Sequence, residues 1–197
     1  VELPLQRGRI IPLETSDSSL LYDIVSIDQV KDKYFIRSRN KILTFDTEGN
    51  YLYNISGIGQ GNKEYVNLSS FFIKNEELCI YDFNQGRVLF FAPSGRYLRT
   101  EKAVKNSDVE CAPQLIRPYG KNKYIAKNSF NGTPGYVTPV LSLLDEKYTI
   151  TQTLEGHSLH TGFLLFDFMN CDDNGGFITY WEALSDTIYT VVNDCMV

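Results

Sequence analysis

A chain of 197 residues and 22.5 kDa, 43% hydrophobic, can bury the core of an ordinary domain, which excludes a disordered protein. Thirteen Tyr and twelve Phe against two Met and one Trp favour strands, where aromatic and β-branched side chains pack on a pleated surface, so the expected class is all-β. A formal charge of −5 gives no basic field over the whole surface to attract nucleic acid or an anionic bilayer, and no apolar run approaches the roughly 18 residues of a membrane span.

In chain order, the first strand-like stretch is "GRIIPLE" (8–14), which has no hairpin partner of its own. "DIVSIDQV" (23–30), "KYFIRS" (33–38) and the hairpin "ILTFDTEGNYLYN" (42–54) then read as four strands. The same order returns in "LSSFFIK" (68–74), "ELCIYDF" (77–83) and "VLFFAPSGRYLRT" (88–100). Gly95, Tyr97 and Leu98 each lie 46 residues beyond Gly49, Tyr51 and Leu52, so the two hairpins are copies of one unit. Weaker copies follow: "PQLIRPY" (113–119), "NKYIAKN" (122–128) and "PVLSLLDEKYTITQTL" (139–154), then "LLFDFMN" (164–170), "GGFITYWE" (175–182) and "DTIYTVVN" (186–193).

A period in the middle to upper forties with short strands is the size of one four-stranded propeller blade, and no segment carries an apolar stripe of helical period. The expected fold is therefore an all-β propeller or partial propeller of about four units of four antiparallel strands. The expectation is a single domain over 1–197, with units near 22–65, 66–112, 113–162 and 163–197. The fourth unit runs out after its third strand, and residues 8–14 are expected to complete it and clasp the ring. The first two hairpin turns end in Gly49 and Gly95, which can take positive φ; "DEK" (145–147) has no Gly, so a different turn is expected there.

Between the first two units, "NISGIGQGNKEYVNLS" (54–69) has three glycines spaced like part of a nucleotide-binding loop. Such a loop needs a helix after it to face the phosphate, and here a strand follows, so Gly57, Gly59 and Gly61 read as a flexible link between blades.

The stretches "IPLETSDSSLLYDI", "ILTFDTEGNYLYNI" with "GIGQGNKEY", and "FFIKNEELCIYDFNQGRVLFFAPSGRYL" resemble the six-bladed β-propeller proteins of Bacteroidales, relatives of NHL and TolB-like propellers. The resemblance covers roughly residues 10–100, and the second half matches by blade rhythm. It departs from the family in showing four units instead of six and in having Asn62 where the family usually has Pro. It implies an exported protein, periplasmic or at the cell surface and in some members lipid-anchored through a removed leader; the first residue, Val1, suits a mature or trimmed chain.

Motifs that carry chemistry are sparse. His157 and His160 in "EGHSLHTG" lack a third fixed ligand for a metal, no GxSxG elbow is present, and Asp172-Asp173 and Glu76-Glu77 read as turn residues. The four cysteines show no CxxC, and Cys79, in an apolar run, reads as a buried hydrophobe. No catalytic residue, metal site or cofactor is assigned. Arg37 and Arg39 in the basic turn "RSRNK", Arg87, and Tyr136 in the long insertion "NSFNGTPGYVTP" (128–139) lie in corresponding inter-strand loops, and "TYWEALSD" adds Tyr180 and Trp181. Long polar loops and aromatics on a rigid scaffold serve recognition. These six residues form the candidate ligand surface of a non-catalytic binding or scaffolding module for a protein or glycan, with no nucleic-acid partner and with open blade edges that could pair copies. A hydrolase or lyase working on the propeller face is the alternative.

Overall fold

The computed structural model describes residues 8–103, 113–120, 122–128, 139–154, 168–171, 178–181, 188–192 and 194–196. They form four sheets, each of four strands in sequence order. The first holds β1 (Ser26–Val30), β2 (Lys33–Ser38), β3 (Lys41–Asp46) and β4 (Tyr51–Ile55); the second holds β5 (Ser70–Lys74), β6 (Glu77–Asp82), β7 (Arg87–Phe91) and β8 (Tyr97–Lys102). The third holds β9 (Pro113–Tyr119), β10 (Lys123–Asn128), β11 (Leu141–Leu144) and β12 (Ile150–Leu154), and the fourth β13 (Phe168–Cys171), β14 (Ile178–Trp181), β15 (Ile188–Val192) and β16 (Cys195–Met196). All pairings inside the sheets are antiparallel. The first strands neighbour one another in the order β1, β5, β9, β13, so the sheets stack as blades around one side. This is the partial propeller that the 46-residue repeat leads one to expect.

The strand runs are apolar on both faces because each inner sheet is covered twice. β6 reads Glu-Leu-Cys-Ile-Tyr-Asp, and every residue after the first is buried. Phe35 and Ile42 of the first sheet pack on Phe71, Ile80 and Leu89 of the second. Phe72, Tyr81 and Val88 pack on Ile116, Tyr124 and Leu144 of the third, and Ile125 and Leu143 meet Ile178 and Val191 of the fourth. Each such fully buried side chain contributes about 1.5–3 kcal/mol of transfer free energy. The Tyr124 and Tyr148 hydroxyls share a 2.9 Å hydrogen bond, and Lys74 of β5 donates to the Tyr124 oxygen, tying the second sheet to the third.

Two expectations change. The fourth sheet has its own short last strand, β16, in the place where the sequence leaves an edge. Residues 8–14 form no strand; they run beside the β3–β4 turn, where Glu14 donates its amide to Gly49 O at 2.8 Å and accepts the Tyr51 amide on Oε2 at 2.9 Å. Leu13 of this segment and Leu21 beyond it pack over Ile36, Leu43 and Phe45, the face of the first sheet turned away from the second.

The turn expected to differ does not. Asp46 N donates to Asn50 O and Gly49 N to Asp46 O, while Asp145 N donates to Thr149 O and Tyr148 N to Asp145 O, all at 3.0–3.1 Å. In both turns the Asp Oδ1 also accepts two amides, two and four residues on, at 2.9 Å. Tyr148 takes the left-handed conformation, φ +61°, that Gly49 takes at +88° and Gly95 at +80°. An L side chain there costs about 1–2 kcal/mol. Its ring, 1% exposed and stacked 4.5 Å from Tyr124, offsets that strain by burial.

Candidate functional site

Because strands alternate in direction, the β2–β3, β6–β7, β10–β11 and β14–β15 connections and all links between sheets open at one end of the blades. We call this the crossover end. The other connections form the hairpin end.

At the crossover end, the link from β4 to β5 is pinned rather than flexible. Tyr65 N donates to Gly57 O at 2.7 Å and Gly59 N to Tyr65 O at 3.1 Å, while the Gly61 amide donates to Glu64 Oε2 at 2.9 Å. A Cβ on Gly59 would lie 2.0 Å from that carboxylate oxygen. The cradle that could hold a phosphate is thus filled by the chain's own carboxylate. Tyr65, fully buried, donates its hydroxyl to Asn40 O at 2.6 Å, and burial pushes its pKa up to about 12. Arg87, at the start of β7, spends one nitrogen on Gly61 O (3.0 Å) and Glu64 O (2.5 Å), so it latches the link from the neighbouring blade.

Arg37 and Arg39 differ in environment. Arg39, exposed in the β2–β3 turn at φ +52°, stacks its guanidinium 4.1 Å over the Tyr22 ring, which Lys41 also approaches at 6.0 Å. Arg37, half-buried near the end of β2, donates from Nη1 to Ser69 O at 2.7 Å, across the junction with the second sheet. Arg117, on β9, reaches the same strand from the other side: its Nη1 donates to Phe71 O and lies 3.9 Å from Asp28 of β1. Burial, and then the charge of Arg117, lower the Arg37 pKa, while Asp23 opposes the shift. Three blades therefore meet around two neighbouring guanidiniums.

Tyr180 and Trp181 lie on β14 in register with Tyr189 and Ile188 of β15, and Trp181 immediately precedes the β14–β15 connection at the crossover end. Tyr136 lies outside the described residues, as do His157 and His160. Sequence reasoning missed Arg117 and Tyr22. A guanidinium between apolar residues in "PQLIRPY", a predicted innermost strand, was the available signal for Arg117; for Tyr22 there was none, since its ring contact depends on how residues 20–25 cross the end of β2.

Among the described residues no three His, Cys, Asp or Glu side chains group to hold a metal ion. Cys79 and Cys195 are free thiols; Cys79 is buried, which drives its pKa up and keeps it protonated and unreactive at neutral pH. No helix among the described residues is long and apolar enough to cross a membrane.

The chain is similar in fold to an exported protein of Bacteroides fragilis, with a TM-score of 0.75 at 17% identity over 95% of this chain and 52% of that one. A member of the DUF4221 family from Bacteroides vulgatus aligns at 0.63 with 10% identity over 95% and 59%, and the Pan2 WD40 domain of Neurospora crassa at 0.54 with 11% identity over 88% and 50%. At these identities the likeness shows the fold, a propeller architecture. This chain spans between half and three-fifths of the length of these structures. No curated protein matches it. The match of residues 6–197 to the family described as Domain of unknown function (DUF4934) establishes that the chain belongs to that family.

Proposed function

We propose that this chain is a non-catalytic binding or scaffolding unit of an exported propeller, holding a protein or glycan at its crossover end. One contrast supports the reading: the crossover end gathers links of unequal length with Arg39, Arg87 and Tyr22, whereas the hairpin end repeats one backbone-closed turn after β3, β7 and β11. Irregular loops on a rigid frame are where recognition is built. The likeness of "ILTFDTEGNYLYNI" and its neighbours to six-bladed NHL and TolB-like propellers supports a larger ring in the whole protein, and the Bacteroides fragilis structure, itself an exported protein, supports export. Arg39, Tyr136, Tyr180 and Trp181 are proposed as contact residues; Arg87 is proposed to act through the link that it latches.

Immobilised chain probed with a glycan array and with labelled envelope proteins tests this. Alanine at Trp181 or Tyr136 weakens capture at least about tenfold, the effect of losing one well-placed contact of roughly 1.4 kcal/mol. Unchanged capture by both variants sinks the reading. Turnover of a glycan or lactone panel, lost on His157→Ala, favours the hydrolase or lyase instead.

A further inference from the structure

We propose that Arg37 and Arg117 form a carboxylate-binding site at the junction of the first three blades, whose ligand presents a single carboxylate group, for which a uronic acid serves as the probe. This deepens the binding reading above and rests on it. The Ser69 carbonyl lies just before β5 and the Phe71 carbonyl lies within it, two residues further along the chain. Arg37 caps the first and Arg117 the second, so the two guanidiniums are neighbours at the start of β5.

Capping a carbonyl uses one N–H of a guanidinium that has five, and Arg37 spends a second, on Nε, with Arg39 O at 3.4 Å. Among the described residues, Nη2 of Arg37 and Nη2 of Arg117 donate to no other group. Neither side chain is sealed: Arg37 is half-buried and the Arg117 side chain is 25% exposed. Two partly desolvated arginines with spare donors, held apart by a strand edge, bracket a group whose two oxygens each accept a charge-assisted bond of about 2.7–2.9 Å.

The charges nearby select among anions. Asp28 stands 3.9 Å from Arg117, and Asp23 acts on Arg37 while its Oδ1 accepts the Ser38 hydroxyl and the Arg39 amide. Two carboxylates beside two guanidiniums balance their charge, so a dianion such as phosphate meets more repulsion there than a monoanion does. A single carboxylate that satisfies geometry suits them better.

The test is calorimetry on the whole chain with three probes: D-glucuronate, D-glucose and inorganic phosphate. D-glucuronate binds, D-glucose and phosphate bind at least tenfold more weakly, and added salt weakens the glucuronate affinity. Arg117→Gln and Arg37→Gln each reduce that affinity at least tenfold, with Arg37→Lys retaining more than Arg37→Gln. Amide shifts in the unaltered chain guard against unfolding of a variant: glucuronate moves the Phe71 and Asp28 signals. Phosphate binding as well as glucuronate, or Gln variants binding as the parent does, overturns the proposal. If glucuronate fails while other ligands are captured at the crossover end, only this inference falls; if nothing is captured there, the binding reading falls with it.

Discussion

The two ends of the blades solve different problems with the same strands. At the hairpin end, the turns after β3, β7 and β11 share one hydrogen-bond pattern, each closing on its own backbone, and in two of them an Asp carboxylate caps two amides as well. At the crossover end the two described inter-strand turns differ: two residues separate β2 from β3 and four separate β6 from β7. There side chains from a neighbouring blade hold whole links and strand starts, as Arg87 holds Gly61 and Glu64 and as Arg37 and Arg117 hold Ser69 and Phe71, while at the hairpin end Lys33 and Tyr53 reach a single carbonyl, Pro93 O. Repetition serves the scaffold, and departure from it concentrates polar groups with bonding capacity to spare. An open depression of about 380 Å³ at the hairpin end, lined by Asn122, Lys123, Asp145, Glu146, Lys147 and Thr151, follows the same division. Asp145 is spent on its own turn and Lys123 on Asp194.

The strongest way to break the comparison is within the repeated turn itself. Tyr148→Gly relieves left-handed strain but empties a buried aromatic site, so the balance is a loss of about 3 kcal/mol in urea unfolding. A stabilised variant would show that the ring contributes nothing to the sheet-to-sheet contact. Gly49→Ala comes next, at about 2 kcal/mol: the left-handed φ resists a Cβ, and that Cβ would sit 2.0 Å from the Pro12 carbonyl oxygen, which is backbone and cannot swing aside. A melt equal to the parent's would mean that residues 8–14 do not cross this turn.

Smaller effects sharpen the contrast at the crossover end. Tyr65 has its folded pKa raised from 10.0 to about 12, so its contribution to stability is complete below pH 10 and is lost as pH rises toward 12. Denaturation free energy measured from pH 8 to 12 therefore holds and then falls, and Tyr65→Phe flattens that part of the fall; an identical alkaline limb in the variant contradicts the buried hydroxyl. Gly59→Ala costs under about 1 kcal/mol, because the atom in its way is the end of the flexible Glu64 side chain. Glu76→Gln at the hairpin end removes an exposed ion pair with Lys31 and leaves the melting temperature essentially unchanged.

How much of this was readable beforehand follows the same division. Gly49 and Gly95 with their aromatic-Leu pairs gave away the repeat, because a turn that closes on itself leaves its signature in adjacent residues. "DEKY" hid its identity with "DTEGN", since Tyr148 meets the backbone demand through contacts with Tyr124 that lie 24 residues away. The glycine-rich link looked flexible for a related reason: what pins it is Arg87, on another blade. Of the candidate surface, Arg37 and Arg39 were legible as a basic turn, but their different states were not. One caps a carbonyl across a blade junction and the other stacks on Tyr22, and both depend on segments brought together only by the fold.

The central claim is that recognition belongs to the crossover end. One pair of charge reversals tests it most directly: Arg39→Glu at the crossover end and Lys147→Glu at the hairpin end, each compared with the parent for capture on the same glycan and protein array after confirming equal melting temperatures. The account predicts that Arg39→Glu loses capture at least about tenfold while Lys147→Glu keeps it. Loss with Lys147→Glu and full retention with Arg39→Glu would contradict it.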